Sequence, residues 1–295
     1  MRLCDAHNHW HDAWLRPHRE RVFADLAAIG VRHGVVNGTS ETDWPDVTAL
    51  AAAHSSRVIP SYGLHPWEAG NRSAAWQETL LAALEAHPSA GVGEFGLDRW
   101  MLDRARPDDP RLTGLRRAPL EEQSEVFVWQ LQCAAAQNRA ASLHCLDAFG
   151  LLHDLLRTTP RPARGFLLHA YSGPVEMVKT FADLGAYFSF NGAFLDPRKT
   201  RLKAVYSVIP ADRLLVETDA PAMRLPAAFE EFPPFSAAAG AWANHPANLA
   251  ATYTALAAWR GVSVDTLAVQ VESNFQRLFG LDNPHSLQGS PQPSP

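Results

Sequence analysis

The sequence lacks the cysteines of a disulfide-stabilised protein. Its 295 residues include only Cys4, Cys133 and Cys145, an odd number without the spacing of a zinc cluster. A small secreted domain that depends on disulfides carries a dense and even set of cysteines, so this class is excluded. We interpret the three residues as buried thiols in a protein of a reducing compartment.

Membrane-directing segments are missing as well. No apolar run approaches the roughly 18 to 20 residues of a membrane-spanning helix. Asp5 and three histidines interrupt the N-terminal segment, which argues against a secretory signal peptide. We therefore expect a cytoplasmic protein without a membrane partner, and no feature of the sequence indicates an obligate protein partner.

Positive charge is not in excess. Lys and Arg number 26 against 31 Asp and Glu, which gives a net charge of -5. Non-specific wrapping of nucleic acid needs a broad basic surface, so that function is excluded, whereas a local phosphate site is not. Glycine-rich nucleotide loops and a Ser or Cys nucleophile with its triad are also absent from the sequence.

Short apolar segments alternate with helix-forming segments along most of the chain. Strands are predicted just before His7 and over 31–38, 58–63, 90–98, 141–145, 165–170, 185–192 and 213–221. Helices are predicted over 19–29, 44–54, 74–86, 120–137, 148–158, 174–184, 198–208, 246–260 and 264–279. Eight buried strands that alternate with helices predict an α/β fold, a (β/α)8 TIM barrel in a single domain.

Three segments fall outside this alternation. The predicted barrel domain covers residues 1–281, and residues 282–295, with four prolines, are predicted to be a disordered tail. Residues 222–245 are rich in Pro and Ala and predict an extended loop. Residues 99–119 contain six arginines and three prolines, and we interpret them as a loop over the site. That loop either grips phosphate or is a solvated surface excursion.

Two histidines follow the first predicted strand. His7 and His9 are two residues apart, so on a strand their side chains point to the same side. Both rings can then reach one point beyond the strand end, where a metal ion would bind. The pair alone is weak support, because a single histidine is more often a hydrogen-bonded core or loop residue.

Further donors follow other predicted strands, and parallel strands of a barrel end at one mouth. The complete set is His7, His9, Glu94, His144, His169 and Asp219. One divalent ion with an open position needs about three protein ligands, so this set predicts two ions that share a carboxylate. The expected sharing places Glu94 between one ion on His7, His9 and Asp219 and another on His144 and His169.

Two adjacent ions indicate hydrolysis. Asp219 would orient the attacking water and take its proton, with Glu94 as the bridging carboxylate of the catalytic centre. Glu217 lies close by in the sequence and is interpreted as a structural carboxylate. We expect Zn2+, while Mg2+ or Mn2+ also suit imidazole and carboxylate donors.

Substrate contacts are predicted beside these donors. His65 follows the third strand and is expected to contact an anionic oxygen or the leaving group, with loop hydrogen bonding as the alternative. Arg116 and Arg117 in the 99–119 loop are the predicted phosphate-binding residues. Three tryptophans either stack on a base or sugar or cover the core, and these are Trp10, Trp67 and Trp100.

The strand-end donors lie in an ordered series of short motifs that spans about residues 3 to 281. The motifs are Asp5-Ala6-His7-Asn8-His9, Gly63-Leu64-His65-Pro66, Gly93-Glu94-Phe95-Gly96-Leu97-Asp98, Ser142-Leu143-His144, Leu168-His169-Ala170-Tyr171-Ser172-Gly173, Phe188-Ser189-Phe190-Asn191-Gly192, Glu217-Thr218-Asp219-Ala220-Pro221 and Asn274-Phe275-Gln276-Arg277-Leu278-Phe279. The series resembles the TatD-like metal-dependent hydrolases, the TatD DNase family of the amidohydrolase superfamily.

The resemblance implies a divalent-metal hydrolase with the six donors at the family's metal-binding positions. Family members are described as deoxyribonucleases, so we expect hydrolysis of phosphoester bonds in DNA or nucleotides. Two positions depart from the family pattern: Leu146 stands where an Arg is common, and Asn244-His245-Pro246 replaces Asn-Glu-Pro. The alternatives are hydrolysis of a C-N or lactone bond in a small metabolite, or metal binding without catalysis.

Overall fold

Eight parallel strands form one sheet that curves into a barrel. The computed structural model describes residues 1–236 and 242–281. The strands are β1 Leu3–Asn8, β2 Val31–Asn37, β3 Val58–Tyr62, β4 Gly91–Asp98, β5 Ala141–Leu146, β6 Phe166–Leu168, β7 Ala186–Asn191 and β8 Leu214–Glu217. They follow one another around the sheet in chain order, and each neighbouring pair is parallel.

Helices connect the strands and cover the outside of the sheet. The helices are α1 Arg19–Ala28, α2 Trp44–Ala53, α3 Trp76–Ala86, α4 Trp100–Asp103, α5 Leu120–Ala136, α6 Phe149–Thr158, α7 Met177–Asp183, α8 Arg201–Val208, α9 Leu249–Arg260 and α10 Val264–Phe279. At least one helix follows every strand of the barrel. The prediction of a single-domain (β/α)8 barrel is therefore confirmed.

The barrel closes where β8 returns beside β1. The backbone N–H of Asp219, just past the end of β8, donates to the carbonyl of His7 in β1 over 3.0 Å. Below this contact, the buried Asp5 carboxylate accepts from the Thr218 hydroxyl over 2.6 Å and from the Thr218 N–H over 3.1 Å. We call the Asp5 to Thr218 contacts the seam clasp. The seam clasp joins the first and last strands, so it fixes His7 relative to Asp219.

The core is continuous from the strands to the surrounding helices. Every residue of β1, β3, β4 and β7 is buried, as expected for parallel strands that helices cover. In α9 the Tyr253 hydroxyl donates to the carbonyl of Cys4 over 2.9 Å and accepts from its N–H over 3.2 Å. Burial of the strands leaves their carboxyl ends as the place where polar side chains can meet.

Several helices begin later than their sequence patterns predict; the helix predicted over 174–184, for example, starts at Met177, and two others start after a 3-10 turn. The helix predicted over 198–208 starts at Arg201, because Pro197 opens a 3-10 turn in which the Asp196 carboxylate accepts from the N–H of Arg198. The helix predicted over 246–260 starts at Leu249 after a similar turn. Side chains that bind nearby backbone N–H groups favour such turns over a regular helix.

Two predicted loops contain ordered structure. Residues 99–119 include α4 and a 3-10 turn over Pro110–Leu112. The segment predicted to be extended over 222–245 contains a 3-10 turn and a short antiparallel pair, β9 Phe235–Ser236 and β10 Trp242–Ala243. The predicted tail over 282–295 lies outside the described residues. Within the described part of the chain, none of the helices has the length and apolar character needed to cross a membrane.

Candidate metal centre

The Glu94 carboxylate lies at the centre of the barrel mouth. Its Oε2 is 3.2 Å from Nε2 of His7 and 3.3 Å from Nε2 of His9. Its Oε1 is 3.0 Å from Nδ1 of His144 and 2.9 Å from Nε2 of His169. The two oxygens therefore face two different pairs of imidazoles, which is the arrangement that a bridging carboxylate requires.

Asp219 joins the first of these pairs. Its Oδ1 lies 3.6 Å from Nε2 of His7 and 3.2 Å from Nε2 of His9. Asp219 has a φ of 52°, in the left-handed region that Asp tolerates better than most residues with a side chain. Residues held in this region are often part of functional sites.

The second pair comes from neighbouring strands. Nδ1 of His144, on β5, lies 3.3 Å from Nε2 of His169, which directly follows β6. The ring of His169 also stacks on His7, with ring centroids 3.9 Å apart. The two groups of donors thus form one contiguous cluster around the two oxygens of Glu94.

Hydrogen bonds fix which nitrogen some of these imidazoles present. Nδ1 of His9 lies 2.7 Å from the carbonyl oxygen of Asn37, which can only accept, so Nδ1 carries the proton. Nε2 of His144 lies 3.2 Å from Oδ2 of Asp98 in the same way. In the neutral form of both rings, the nitrogen that faces Glu94 is therefore the one with the lone pair, and this form binds a metal ion.

His65 has the opposite arrangement. Its Nδ1 accepts from the backbone N–H of Trp67 over 3.1 Å, so in the neutral ring the proton lies on Nε2. That Nε2 is 3.4 Å from Oε1 of Glu94. Distance alone groups His65 with Glu94 and His144 as possible metal ligands. The proton on Nε2 makes His65 a hydrogen-bond donor to the mouth instead.

The charges of the cluster stabilise one another. Burial acts to raise the pKa of Glu94, but the surrounding imidazoles outweigh it and hold that pKa well below its usual value. Burial acts to lower the pKa of His9, yet Asp219 and Glu94 raise it well above its usual value. In the same balance, Asp98 and Glu94 raise the pKa of His144 to about 9. The carboxylates stay ionised and attract positive charge, whether protons or metal ions.

The spacing of the donors suits divalent metal ions. Two ligands that each lie about 2.1 Å from one ion, in tetrahedral or octahedral geometry, are about 3.0 to 3.4 Å apart. The distances from the imidazole nitrogens to the carboxylate oxygens of Glu94 and Asp219 run from 2.9 to 3.6 Å. Ligand atoms of His7, His9 and Glu94 lie within 4.8 Å of one another, as do those of His7, His169 and Asp219. The cluster is therefore able to hold metal.

Asp98 is a site residue that the sequence analysis did not assign. Its Oδ2 accepts from Nε1 of Trp67 over 2.6 Å as well as facing His144. Its Oδ1 accepts from the N–H of Met101 over 2.9 Å, at the start of α4. The signal was present in the sequence, because residues 94 and 98 lie on the same face of one strand.

Glu217 is fully buried below the mouth. Its carboxylate accepts from the hydroxyl of Ser189 and, over 3.1 Å, from Nδ2 of Asn191. Its Oε1 also lies 3.6 Å from Nδ1 of His169. These contacts agree with the interpretation of Glu217 as a structural carboxylate.

Arg116 and Arg117 contact the protein and no predicted metal ligand. Nη1 and Nη2 of Arg116 bind the two oxygens of Glu122 over 2.9 and 2.6 Å, and its Nε binds the carbonyl of Gly70 over 2.9 Å. The guanidinium of Arg117 donates to the carbonyls of Met101, Ala105 and Arg106. Arg116 therefore fastens the 99–119 loop to the rest of the barrel, whereas Arg117 joins two parts of the loop itself.

The three tryptophans divide between core and mouth. Trp10 is 1% exposed and packs edge-on against Phe23, with ring centroids 5.7 Å apart, so it belongs to the core. A base-stacking role for Trp10 is therefore wrong. Trp67 and Trp100 are partly exposed, with ring centroids 6.2 Å apart. These two remain able to contact a substrate.

The two departures from the family pattern have different surroundings. His245 is fully buried, accepts from the N–H of Ala247 through Nδ1 over 3.1 Å, and places Nε2 3.2 Å from Oδ2 of Asp25. Leu146 is partly exposed at the end of β5, paired with Asp98 of β4. Local contacts thus accommodate His245, whereas Leu146 places an apolar side chain at the mouth.

Known proteins are similar to this sequence over most of its length. A family model described as TatD related DNase matches residues 4–280. A Shigella flexneri serotype 5b (strain 8401) protein named 3'-5' ssDNA/RNA exonuclease TatD is 29% identical over 264 residues, 89% of this chain and 93% of the relative. A Klebsiella pneumoniae (strain 342) protein of the same name is 30% identical over 268 residues, 90% of this chain and 93% of the relative.

Solved structures of TatD proteins have the same fold. The crystal structure of a TatD homologue, YJJV, from Escherichia coli K12 has a TM-score of 0.79 and 27% identity, and the match covers 94% of this chain and 98% of that one. A TatD family hydrolase from Entamoeba histolytica has a TM-score of 0.77 over the same shares of the two chains, and at 15% identity it shows the fold alone. Because the family model matches nearly the whole chain, the protein belongs to the TatD related DNase family of metal-dependent hydrolases.

Proposed function

We propose that this protein is a two-metal nuclease that hydrolyses phosphoester bonds in DNA or nucleotides. The single observation that carries the proposal is the Glu94 carboxylate, whose two oxygens face two separate pairs of imidazoles. A carboxylate in this position suits two ions a few ångströms apart. The names of the TatD relatives, 3'-5' ssDNA/RNA exonucleases, support single-stranded nucleic acid as the substrate.

The donor contacts support one assignment of ligands. Oε2 of Glu94 would serve the first ion and Oε1 the second. The further ligands would be His7, His9 and Asp219 for the first ion, and His144 and His169 for the second. Two bound divalent ions would supply an acidified water and neutralise charge on the phosphoryl oxygens.

Zn2+ is the metal that the donor set favours. Imidazole nitrogens outnumber carboxylates among the proposed ligands, and Zn2+ binds such mixed nitrogen and oxygen sets. Mg2+ prefers an octahedron of oxygens, several of them from water, so it suits this cluster less well. Mn2+ is intermediate in its preferences and is the alternative that the experiment below separates.

Asp219 is the proposed general base. Burial acts to raise the pKa of its carboxyl group, but the hydrogen bond and charge of His9 outweigh burial and lower it. Asp219 therefore stays ionised at neutral pH. An ionised carboxylate beside the bound water is able to orient that water and accept its proton.

His65 is the proposed donor to the substrate. Burial lowers the pKa of its imidazole, which favours the neutral ring with one proton. The Trp67 N–H occupies Nδ1, so that proton lies on Nε2 at the mouth. An N–H group there would bind a phosphoryl oxygen or the oxygen that leaves. Phosphate binding by Arg116 and Arg117, and the cytoplasmic location, stay predictions.

Metal content and activity test the proposal together. The protein would be purified without a chelator or a His-affinity resin, and its metal content measured by elemental analysis. A single-stranded DNA oligonucleotide would then be assayed after chelation and restoration of Zn2+, Mn2+ or Mg2+. We expect about two ions per chain and metal-dependent cleavage.

Glu94→Gln is the matched variant for this experiment. A carboxamide keeps the size of the side chain but offers one oxygen instead of two, so we expect loss of one or both ions and of cleavage. A single ion in the wild type, or full cleavage by Glu94→Gln, would contradict the bridging role. Turnover of amides or lactones without cleavage of DNA would support the small-metabolite alternative instead.

A further inference from the structure

Two tryptophans and an arginine form a layered surface at the mouth. The rings of Trp67 and Trp100 are inclined by 29°, with centroids 6.2 Å apart. The guanidinium carbon of Arg111 lies 4.5 Å from the ring centroid of Trp100 and 6.0 Å from that of Trp67. A cation over an indole face is an attractive contact. We call Trp67, Trp100 and Arg111 the aromatic shelf.

One carboxylate anchors both the aromatic shelf and a proposed metal ligand. Oδ2 of Asp98 accepts from the indole N–H of Trp67 over 2.6 Å and faces Nε2 of His144 at 3.2 Å. Its Oδ1 accepts from the N–H of Met101 over 2.9 Å in α4, the helix that begins with Trp100. The position of the aromatic shelf is therefore tied to that of His144.

The aromatic shelf adjoins the metal ligands. The ring of His65 lies between them, with its centroid 4.5 Å from that of His144 and 5.5 Å from that of Trp67. In a nucleotide one sugar separates the phosphate from the base. A phosphate bound to metal ions held at Glu94 would therefore leave an adjoining base within reach of the shelf.

Arg111 has donors and surface left for a ligand. Its Nε and Nη2 bind the two oxygens of Asp109 over 2.9 and 2.8 Å, which fixes the plane of the guanidinium. Within the described part of the chain, its Nη1 makes no hydrogen bond, and its side chain is 57% exposed. The hydrogen bond to Asp109 raises the pKa of Arg111, and the charge of Asp98 adds to that effect. Arg111 thus presents a permanent charge at the mouth.

We propose that the aromatic shelf binds the base of the nucleotide next to the phosphate that is hydrolysed. This inference rests on the proposed nuclease function and names the part of the substrate that the rim of the site recognises. Indole faces and planar guanidinium groups stack on nucleobases with little dependence on sequence. The unbonded Nη1 of Arg111 suits a phosphate oxygen of the same strand.

The chain supplies a matched control for Arg111. Asp196-Pro197-Arg198 repeats the sequence Asp109-Pro110-Arg111, and Arg198 also binds its aspartate through Nε and Nη2. Arg198 is 88% exposed, and no cation–π contact involves it among residues 1–236 and 242–281. Arg198→Ala therefore removes an equivalent ion pair and leaves the aromatic shelf intact.

Tryptophan fluorescence of the metal-loaded protein measures base binding directly. The probes are deoxyadenosine 5'-monophosphate and deoxyribose 5-phosphate, which share the sugar phosphate and differ in the base. In the wild type and in Arg198→Ala we expect the nucleotide to quench fluorescence and to bind about tenfold more tightly than the sugar phosphate. In Trp100→Leu we expect that tenfold preference to disappear, while sugar phosphate binding stays unchanged.

Arg111→Ala and Trp100→Phe complete the series. Arg111→Ala should weaken nucleotide binding by about tenfold, and Trp100→Phe, which keeps an aromatic face, should retain most of the affinity. Metal content is measured in each variant, because Trp100 is tied to His144 through Asp98. If Trp100→Leu loses metal, base binding is tested with metal-loaded Trp100→Phe instead. Loss of nucleotide affinity in that variant would overturn the proposal.

Two outcomes separate this inference from the nuclease function. Equal binding of the two probes by the wild type, or unchanged nucleotide preference in Trp100→Leu, would overturn base binding even if DNA is cleaved. Retained base-dependent quenching in a protein that cleaves no nucleic acid would refute the nuclease function and leave base binding in place.

Discussion

His65 and His245, which are each followed by a proline, differ from the predicted metal ligands His9 and His144. His65 and His245 each accept, through Nδ1, the backbone N–H two residues later, over 3.1 Å in both turns. His9 and His144 instead donate to protein oxygens through the nitrogen that faces away from Glu94. Among His9, His65 and His144, the local hydrogen bond decides which nitrogen of the neutral ring presents a lone pair and which presents a proton at the mouth.

The proline that follows His65 and His245 contributes to this difference. Proline has no N–H group, so the first backbone donor that the imidazole can reach is two residues further on. The residue before proline also prefers an extended backbone, and His245 has φ of -77° and ψ of 122°. The turn therefore fixes a proton on Nε2 of the neutral ring. Mutations of the two groups of histidines test the comparison.

The largest effect is expected where a free lone pair is removed. His144→Ala or His9→Ala should abolish binding of at least one ion and lower kcat/KM for single-stranded DNA by about a thousandfold or more, because the remaining donors cannot hold two ions. Elemental analysis and the DNA assay measure the two losses. Circular dichroism should show an unchanged fold. If these variants kept both ions, His9 and His144 would not be metal ligands.

A smaller effect is expected at His65. In His65→Asn the carboxamide oxygen can still accept from the N–H of Trp67, but the donor at the mouth is lost. We expect two ions to remain bound and kcat to fall by about a hundredfold, in the range typical for loss of one acid or base. Metal loss comparable to that of His144→Ala would show that His65 is a ligand after all.

The carboxylate behind His144 should affect metal binding without abolishing it. Asp98→Asn keeps a hydrogen-bond acceptor but removes the charge that holds the proton on Nε2 of His144. We expect about a 10- to 100-fold weaker metal affinity, as is typical when the partner of a ligating histidine is changed. Competition with a chromophoric chelator measures the affinity. An unchanged dissociation constant would mean that Asp98 anchors only Trp67 and α4.

The smallest effect is expected at His245, which lies away from the metal ligands. Burial lowers the pKa of His245 to about 4, although Asp25 opposes this shift. Since the folded pKa lies below the unfolded value, this ring favours the folded state above about pH 6.5. That contribution disappears as the pH falls towards 4.

His245→Asn isolates this contribution. The carboxamide can still cap the N–H of Ala247, and loss of the Asp25 contact should cost about 1 kcal/mol at pH 7. Urea unfolding measures the free energy of unfolding at pH 7 and pH 5. The stability advantage of the wild type over the variant should be smaller at pH 5. Metal content and kcat should stay unchanged, and a loss of metal would move His245 to the other group of histidines.

Much of the fold and of the donor cluster could be predicted from the sequence. Strands buried on both faces are mostly apolar, so the charged or metal-binding side chains His7, Glu94 and His144 within them were recognisable as candidates for one site. A carboxylate has two oxygens that can each bind one metal ion, which also made Glu94 a candidate for a bridging ligand. Their separation in the sequence did not matter, because parallel strands of a barrel end at one place.

The orientation of long side chains at the rim could not be predicted. Arg111, Arg116 and Arg117 lie within seven residues of one another, and the count of arginines does not distinguish them. Arg116 is taken by Glu122, while Arg111 rests on Trp100. These choices depend on contacts between distant parts of the chain. The His-Pro pair is visible in the sequence, but His87 precedes Pro88 without the same hydrogen bond in the described part of the chain, so the pair alone does not predict the turn.

The seam clasp makes the two proposed metal sites unequal in how they release their ions. His7 and Asp219 lie on opposite sides of the join between β1 and β8, whereas His144 lies on β5 and His169 directly follows the adjacent strand β6, in the unbroken part of the sheet. Any transient parting of the barrel at this join would pull the first pair of ligands apart and leave the second together. We expect the ion held by His7 and Asp219 to exchange with solvent when the barrel opens transiently at this join. The ion held by His144 and His169 should stay bound as long as the protein is folded.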